Sequence, residues 1–180
     1  YGIPNLMGGL HSKDGHASRD GAGGKFTKDT LNVLRLQKMP LDSTVLLKNQ
    51  MQFASRVLTA SEQFQIGGIV NVRAYPPAEL VGDNGYSTTV EWSVPPHFIS
   101  KDLKVPFSKA RIYDALRFVT FYDWANVHLR NTQPGEEKDR TLRGIGCGLR
   151  LNLPEDFSMR IEFAWPLDNM PTDGDHVHIL

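Results

Sequence analysis

From Tyr86 onward the chain alternates between two chemistries almost without error. Tyr86, Thr88, Val90, Trp92 and Val94 fall on one side of an extended strand, and Ser87, Thr89, Glu91 and Ser93 fall on the other. A period of two is what a β-strand imposes when its two faces meet different surroundings. The split recurs downstream. Ile145, Cys147, Leu149, Leu151 and Leu153 alternate with Gly144, Gly146, Gly148, Arg150 and Asn152, while Met159, Ile161, Phe163 and Trp165 alternate with Ser158, Arg160, Glu162 and Ala164. Long antiparallel strands with one oily and one polar face satisfy all three stretches.

Composition narrows the surroundings. The 180 residues are 40% hydrophobic and 22% charged with no formal net charge, enough for one core and without an electrostatic reason to bind nucleic acid. The single Cys147 excludes an intrachain disulfide, and its place on the apolar face of a strand reads as a packed thiol. No stretch approaches the ~18 consecutive apolar residues of a membrane-spanning helix, but a transmembrane strand needs only ~9–11 residues with alternate positions apolar. A slightly negative mean hydropathy fits such a barrel. The first residues lack the sectors of a signal peptide, and the apolar opening at Tyr1 reads as internal to a longer precursor.

Strands are expected near Ile3–His11, Phe26–Lys38, Thr44–Arg56, Tyr86–Val94, Arg117–Leu129, Thr141–Leu153, Phe157–Leu167 and His176–Leu180. The connections alternate long and short: Ser12–Lys25 is long, Met39–Ser43 tight, Val57–Gly85 very long, Asn131–Arg140 polar, and Pro154–Asp156 tight again. Outer-membrane barrels show this asymmetry, with short periplasmic turns and longer extracellular loops. Pro95–Leu116 departs from it by putting a long segment on the short-turn side, where it either covers the rim or forms a short extra element. An interior lined by three glycines of one strand, facing a loop of such length, leaves space inside. The chain is then half of a larger barrel, or else a soluble sandwich.

The long loop carries Gln65-Ile66-Gly67-Gly68, then Val72-Arg73-Ala74-Tyr75, then Gly82-Asp83-Asn84-Gly85. A lone arginine beside an aromatic, between glycines and two long strands, points to a loop folded inward to dock that cation. Spacing by itself leaves open a solvated Arg73 and an ordinary wall carboxylate at Asp123.

The order Gly67-Gly68, Val72-Arg73-x-Tyr75, Gly82-Asp83-x-Gly85, Glu91 and Phe121-Tyr122-Asp123 resembles the C-terminal half of the outer-membrane transporters of two-partner secretion, the haemolysin secretion and activation family. The likeness extends over most of the chain, through Phe26, Arg35-x-Gln37, Gln50-x-Gln52, Ser61-Glu62-Gln63-Phe64 and Gly144-x-Gly146-x-Gly148-Leu149-Arg150. It implies an all-β fold, a transmembrane antiparallel barrel of about sixteen strands, with periplasmic polypeptide-binding modules upstream. These 180 residues hold neither the modules nor the first barrel half. It also implies a loop tip of Val72, Arg73 and Tyr75 whose arginine is held by Asp123 on the inner wall, with Gly67, Gly68, Gly82 and Gly85 permitting the loop's bends. Ala74 and Ala125 stand where the family usually has glycine.

In a narrow, partly dehydrated lumen a guanidinium and a carboxylate bond through two parallel hydrogen bonds, and losing either strands a charge at roughly 3–5 kcal/mol. Other groups are weaker. His176-x-His178 shares a strand face, but no metal-ligand set surrounds it. Glu91, Arg150, Arg160 and Glu162 read as lumen charges, the glycines at 144, 146 and 148 as a smooth inner wall, and no catalytic residue, cofactor or metal is expected. Tyr86, Trp92, Tyr122, Trp124 and Trp165 suit the aromatic girdles that meet lipid head groups.

The resulting expectation is nucleotide-independent passage of an unfolded, secreted exoprotein substrate across the bacterial outer membrane, with membrane lipid as the other partner. Two alternatives stand beside it. One is a related barrel that inserts outer-membrane proteins or carries a fused passenger, and the other is a soluble β-sandwich binding module.

Overall fold

The computed structural model describes residues 19, 21–22, 24–106, 110–154, 157–169 and 171–180. The strand expected at Ile3–His11 lies outside them, as do most of Ser12–Lys25 and the tight-turn residues Glu155 and Asp156. The strands in chain order are β1 (Lys28–Lys38), β2 (Thr44–Ala54), β3 (Phe64–Ile66), β4 (Leu80–Gly82), β5 (Asn84–Val94), β6 (Leu116–His128), β7 (Asp139–Leu153), β8 (Phe157–Pro166) and β9 (His178–Ile179). Seven of them form one antiparallel meander in the order β1-β2-β5-β6-β7-β8-β9, and β3 and β4 pair separately within the long loop.

The alternating positions separate as the sequence requires. Ser87, Glu91, Asp123 and Glu162 are buried on the inner face, the one the long loop lies against. Val90, Trp92, Ile145, Phe163 and Trp165 are exposed on the outer face. Buried charge inside and exposed aromatics outside invert the arrangement of a water-soluble protein, and a contiguous apolar surface of this kind marks contact with lipid or a partner. The sandwich alternative needs a second sheet over that apolar face. The second sheet is the short β3–β4 hairpin, and it packs on the opposite side. There Ile66, Val72, Ala74 and Tyr75 form the core together with Val119, Phe121, Ala125, Val127, Leu142 and Ala164. The fold is that of an all-β barrel fragment, a sheet with edges at β1 and β9.

Cys147 departs from expectation. It is exposed rather than packed, because the apolar face of β7 looks outward and, among the described residues, has no protein layer to pack against.

The described residues of Pro95–Leu116 do both things left open for the segment. It contains a one-turn helix, α1 (Ile112–Ala115), and a bridge between Lys104 and Arg111, and it grips the tight β1–β2 turn. That turn holds Leu41 and Asp42 at φ 62° and 51°. Tyr113 donates its hydroxyl to Asp42 Oδ2 at 2.8 Å, Arg117 Nη1 donates to the Asp42 carbonyl at 3.0 Å, and the His97 ring lies 2.9 Å from the Leu41 carbonyl. The Tyr113 hydrogen bond, ahead of the nearby cations, holds the Asp42 carboxyl below its ordinary 3.8.

Candidate functional site

The loop reaches the inner face as a short hairpin with a self-organised tip. Gly67 and Gly68 take φ of 107° and 81°, left-handed values that a side chain would strain. Asn71 then fixes the bend from inside: its Oδ1 accepts from the Gly67 and Val72 amides, each at 2.8 Å, and its Nδ2 donates to the Gln65 carbonyl at 3.0 Å. The Gly68 amide closes the tip by donating to the Tyr75 carbonyl at 2.8 Å.

Arg73 projects from this tip onto carboxylates supplied by three strands. Its Nε and Nη2 donate to Asp123 Oδ2 and Oδ1 at 2.9 and 3.1 Å, and its backbone amide donates to Oδ2 at 3.1 Å. Nη1 reaches Glu91 Oε2 at 2.9 Å and Glu162 Oε2 at 3.1 Å. The guanidinium carbon lies 3.3 Å from the centre of the Phe121 ring, adding a cation–π contact. Thr89 donates its hydroxyl to Asp123 Oδ1 at 2.8 Å.

Arg150 forms a second cationic layer. It donates to Glu91 through Nη1 and Nη2 at 2.5 and 2.8 Å, and to Glu162 through Nε at 2.8 Å and through Nη2. Three buried carboxylates are thus shared between two guanidiniums. Glu162 and Asp123 are wholly buried, so each depends on these partners for its charge.

The expected loop and wall residues are distributed as follows. Val72 is in the core, Arg73 meets Asp123, and the buried Tyr75 donates its hydroxyl to the Asn169 carbonyl at 3.3 Å while accepting from the Asp168 amide. Gly67 and Gly68 make the bend. Gly82 and Gly85 do not; their role is close approach, since a Cβ on Gly85 would overlap the Phe64 ring and one on Gly82 would sit 2.7 Å from Val127 Cβ.

The glycines of β7 likewise form sockets and not a smooth wall. A Cβ at Gly144 would lie 2.8 Å from Ala74 Cβ, one at Gly146 would meet the Phe121 ring, and one at Gly148 would meet Glu162. Ala74 sits in the Gly144 socket without a positive φ, so its departure from glycine costs the tip nothing. Among the described residues no group of histidines, cysteines and carboxylates has metal-binding geometry, and His178 lies 3.6 Å from Asp173.

Sequence reasoning missed Glu91, Glu162 and Arg150 as contacts of the hook, reading them as separate wall charges. Their face was legible from parity. Their convergence depends on register, which puts Thr89 opposite Asp123 and Gly148 opposite Glu162. Sequence reasoning quoted Asp83 within Gly82-Asp83-x-Gly85 but gave no role to this fully buried carboxylate at the loop's root. Asp83 accepts from the Leu58 and Arg130 amides, each at 2.8 Å, and from the Arg19 guanidinium at 3.1 Å.

The Omp85 superfamily domain model matches residues 22–179, nearly the whole chain. The chain is also similar to the heme/hemopexin transporter protein HuxB of Haemophilus influenzae, both in strain Rd and in a second sequence of that species, at 26% identity over 128 residues. Those alignments cover 69% of this chain and 20% of the relative. The chain therefore spans about a fifth of the length of the curated relatives it matches. It belongs to the Omp85 superfamily, whose members of this kind reside in the bacterial outer membrane.

Proposed function

We propose that this Omp85-superfamily chain is the C-terminal part of a two-partner secretion transporter, and that the whole protein carries an unfolded exoprotein from periplasm to cell surface. The observation that carries the reading is the loop hook. A segment of nearly thirty residues, about 57–85, crosses the inner face and is fastened there through Arg73 to Asp123, Glu91 and Glu162. A wall that served only as a pore would have no use for so large a tethered insertion. The likeness to a heme/hemopexin transporter protein supports a transport role of this kind. Translocation then draws its energy from outside the chain, with folding of the exoprotein at the surface as the physical source.

In this reading Val72 and Tyr75 seat the tip, Arg73 fastens it and Asp123 receives it. The test measures surface release of the partner and the heat-modifiable folded band for Arg73→Ala, Asp123→Ala and the double variant. Each single variant lowers release more than it lowers the folded band. The double variant is no worse than additive, because residues sharing one interaction lose it only once. Normal release from both single variants at normal barrel levels would sink the mechanism. Insertion of outer-membrane proteins in place of exoprotein release, measured in the same cells, would move the chain to the other branch of the superfamily.

A further inference from the structure

We propose that the turn-side mouth of the inner face is a cationic entry cleft for acidic stretches of an extended polypeptide. The inference rests on the transport reading above and adds which passenger segments are held, and where. A cleft of about 510 Å³ opens between the β1–β2 turn and the Pro95–Leu116 segment, lined by Lys38, Lys101, Arg111 and Arg117 with Asp42 and Asp114. Among the described residues that line it, cations outnumber carboxylates two to one. Asp42 is already engaged by the Tyr113 hydroxyl, and Lys101 stands 3.8 Å from it.

Register fixes the side on which the cleft opens. Lys38 pairs with Thr44 and Thr44 with Ser93, a neighbour in parity of Glu91, while Arg117 shares parity with Val119, Phe121 and Asp123. These residues belong to the inner face. The opposite parity carries Phe118, which packs against the exposed Phe98 at a ring distance of 5.6 Å on the outer side. Opening on the inner face favours a polypeptide over a lipid head group.

The cations continue across the sheet. Arg117 lies directly opposite Arg150, and Arg150 directly opposite Arg160, so three arginines stand side by side across β6, β7 and β8. Like charges in direct opposition disfavour one another. Glu91 and Glu162 answer Arg150, but among the described residues Arg160 has only Glu162, at 3.8 Å, a carboxylate that already holds Arg73 and Arg150. Neighbouring strands are about 4.8 Å apart, so the row spans about 10 Å, the length of about three residues of extended chain. Aspartate and glutamate side chains on such a chain meet guanidiniums suited to paired hydrogen bonds. The row starts at Arg117 in the mouth and includes Arg150, which shares Glu91 and Glu162 with the docked Arg73.

The test uses the intact protein in detergent and a fluorescent oligo-glutamate peptide, with oligo-glutamine as the neutral control. Oligo-glutamate binds in preference to oligo-glutamine and weakens as salt rises. The double variant Lys38→Gln/Arg111→Gln, which leaves the turn contacts of Arg117 and Tyr113 in place, loses about tenfold in affinity with an unchanged folded band. Equal binding of the two peptides, or unchanged affinity in the double variant, overturns the proposal. So does displacement of the glutamate peptide by short-chain phosphatidylglycerol, which would assign the cleft to lipid. Arg73→Ala retains peptide binding, because the hook lies beyond the cleft; the secretion assay and the binding assay therefore fail independently.

Discussion

Glu162 touches both Arg73 and Arg150 while wholly buried, and this double contact determines what each arginine is worth. Removing the Arg73 side chain leaves Asp123 with the Thr89 hydroxyl and the residue-73 amide but, among the described residues, no cation, while Glu91 and Glu162 stay paired with Arg150. Removing both arginines strands Asp123 and Glu91, each stranded charge costing roughly 3–5 kcal/mol, and leaves Glu162 with Arg160 at 3.8 Å. Arg73→Ala is therefore expected to keep a folded barrel, and Arg73→Ala/Arg150→Ala to lose the heat-modifiable band, by more than the two single losses combined. Arg73→Lys is expected to behave much like Arg73→Ala in release, since an ammonium cannot make the forked contact with Asp123 while also reaching Glu91. The hook's partners were only partly readable in sequence. Asp123 was named through the family resemblance, whereas Glu91, Glu162 and Arg150 needed cross-strand register, which no single strand's pattern contains.

Between elements, the fit of β7 against the loop is a matter of single carbon atoms. Gly144→Ala puts a Cβ 2.8 Å from that of Ala74, and is expected to destabilise docking by about 1–3 kcal/mol as overpacking does. Ala74→Gly in the same chain is expected to restore it, read as protection of the loop from protease in the double variant. At the rim, the lowered Asp42 pKa gives a definite sign. A depressed carboxyl stabilises the folded contact above its unfolded value and loses that contribution as pH falls through the folded one. Protease resistance of the Pro95–Leu116 segment should be flat from neutral pH down to about 4 and fall below it, and Asp42→Asn should abolish that fall. The long strands were legible because alternation persisted over many residues. The β3–β4 hairpin was not, since three-residue strands among glycines and prolines carry no period, and Cys147 was misjudged because parity groups residues without saying which side has a protein layer.

For the molecule as a whole, the inverted surface predicts chemistry that alternates with position. In a membrane-embedded barrel, cysteines placed singly along β5 in a Cys147→Ser background should react with a water-soluble thiol reagent at positions 89, 91 and 93 once the loop is displaced by Arg73→Ala, and stay unreactive at 88, 90 and 92. Uniform labelling would contradict a bilayer against the outer face. The root of the loop has a consequence for how it can move. Asp83 ties Leu58, Arg130 and Arg19 together, so the hook hangs on a short leash from a fixed post. A tip held this way meets its own wall at an effective concentration on the order of millimolar, whatever the strength of the bond that has just broken. A free competitor of equal affinity at lower concentration loses that contest on mass action alone. With Arg73 and its carboxylates intact, an occupant of the wall is what keeps the hook off it, and the tether brings the hook back when the occupant leaves.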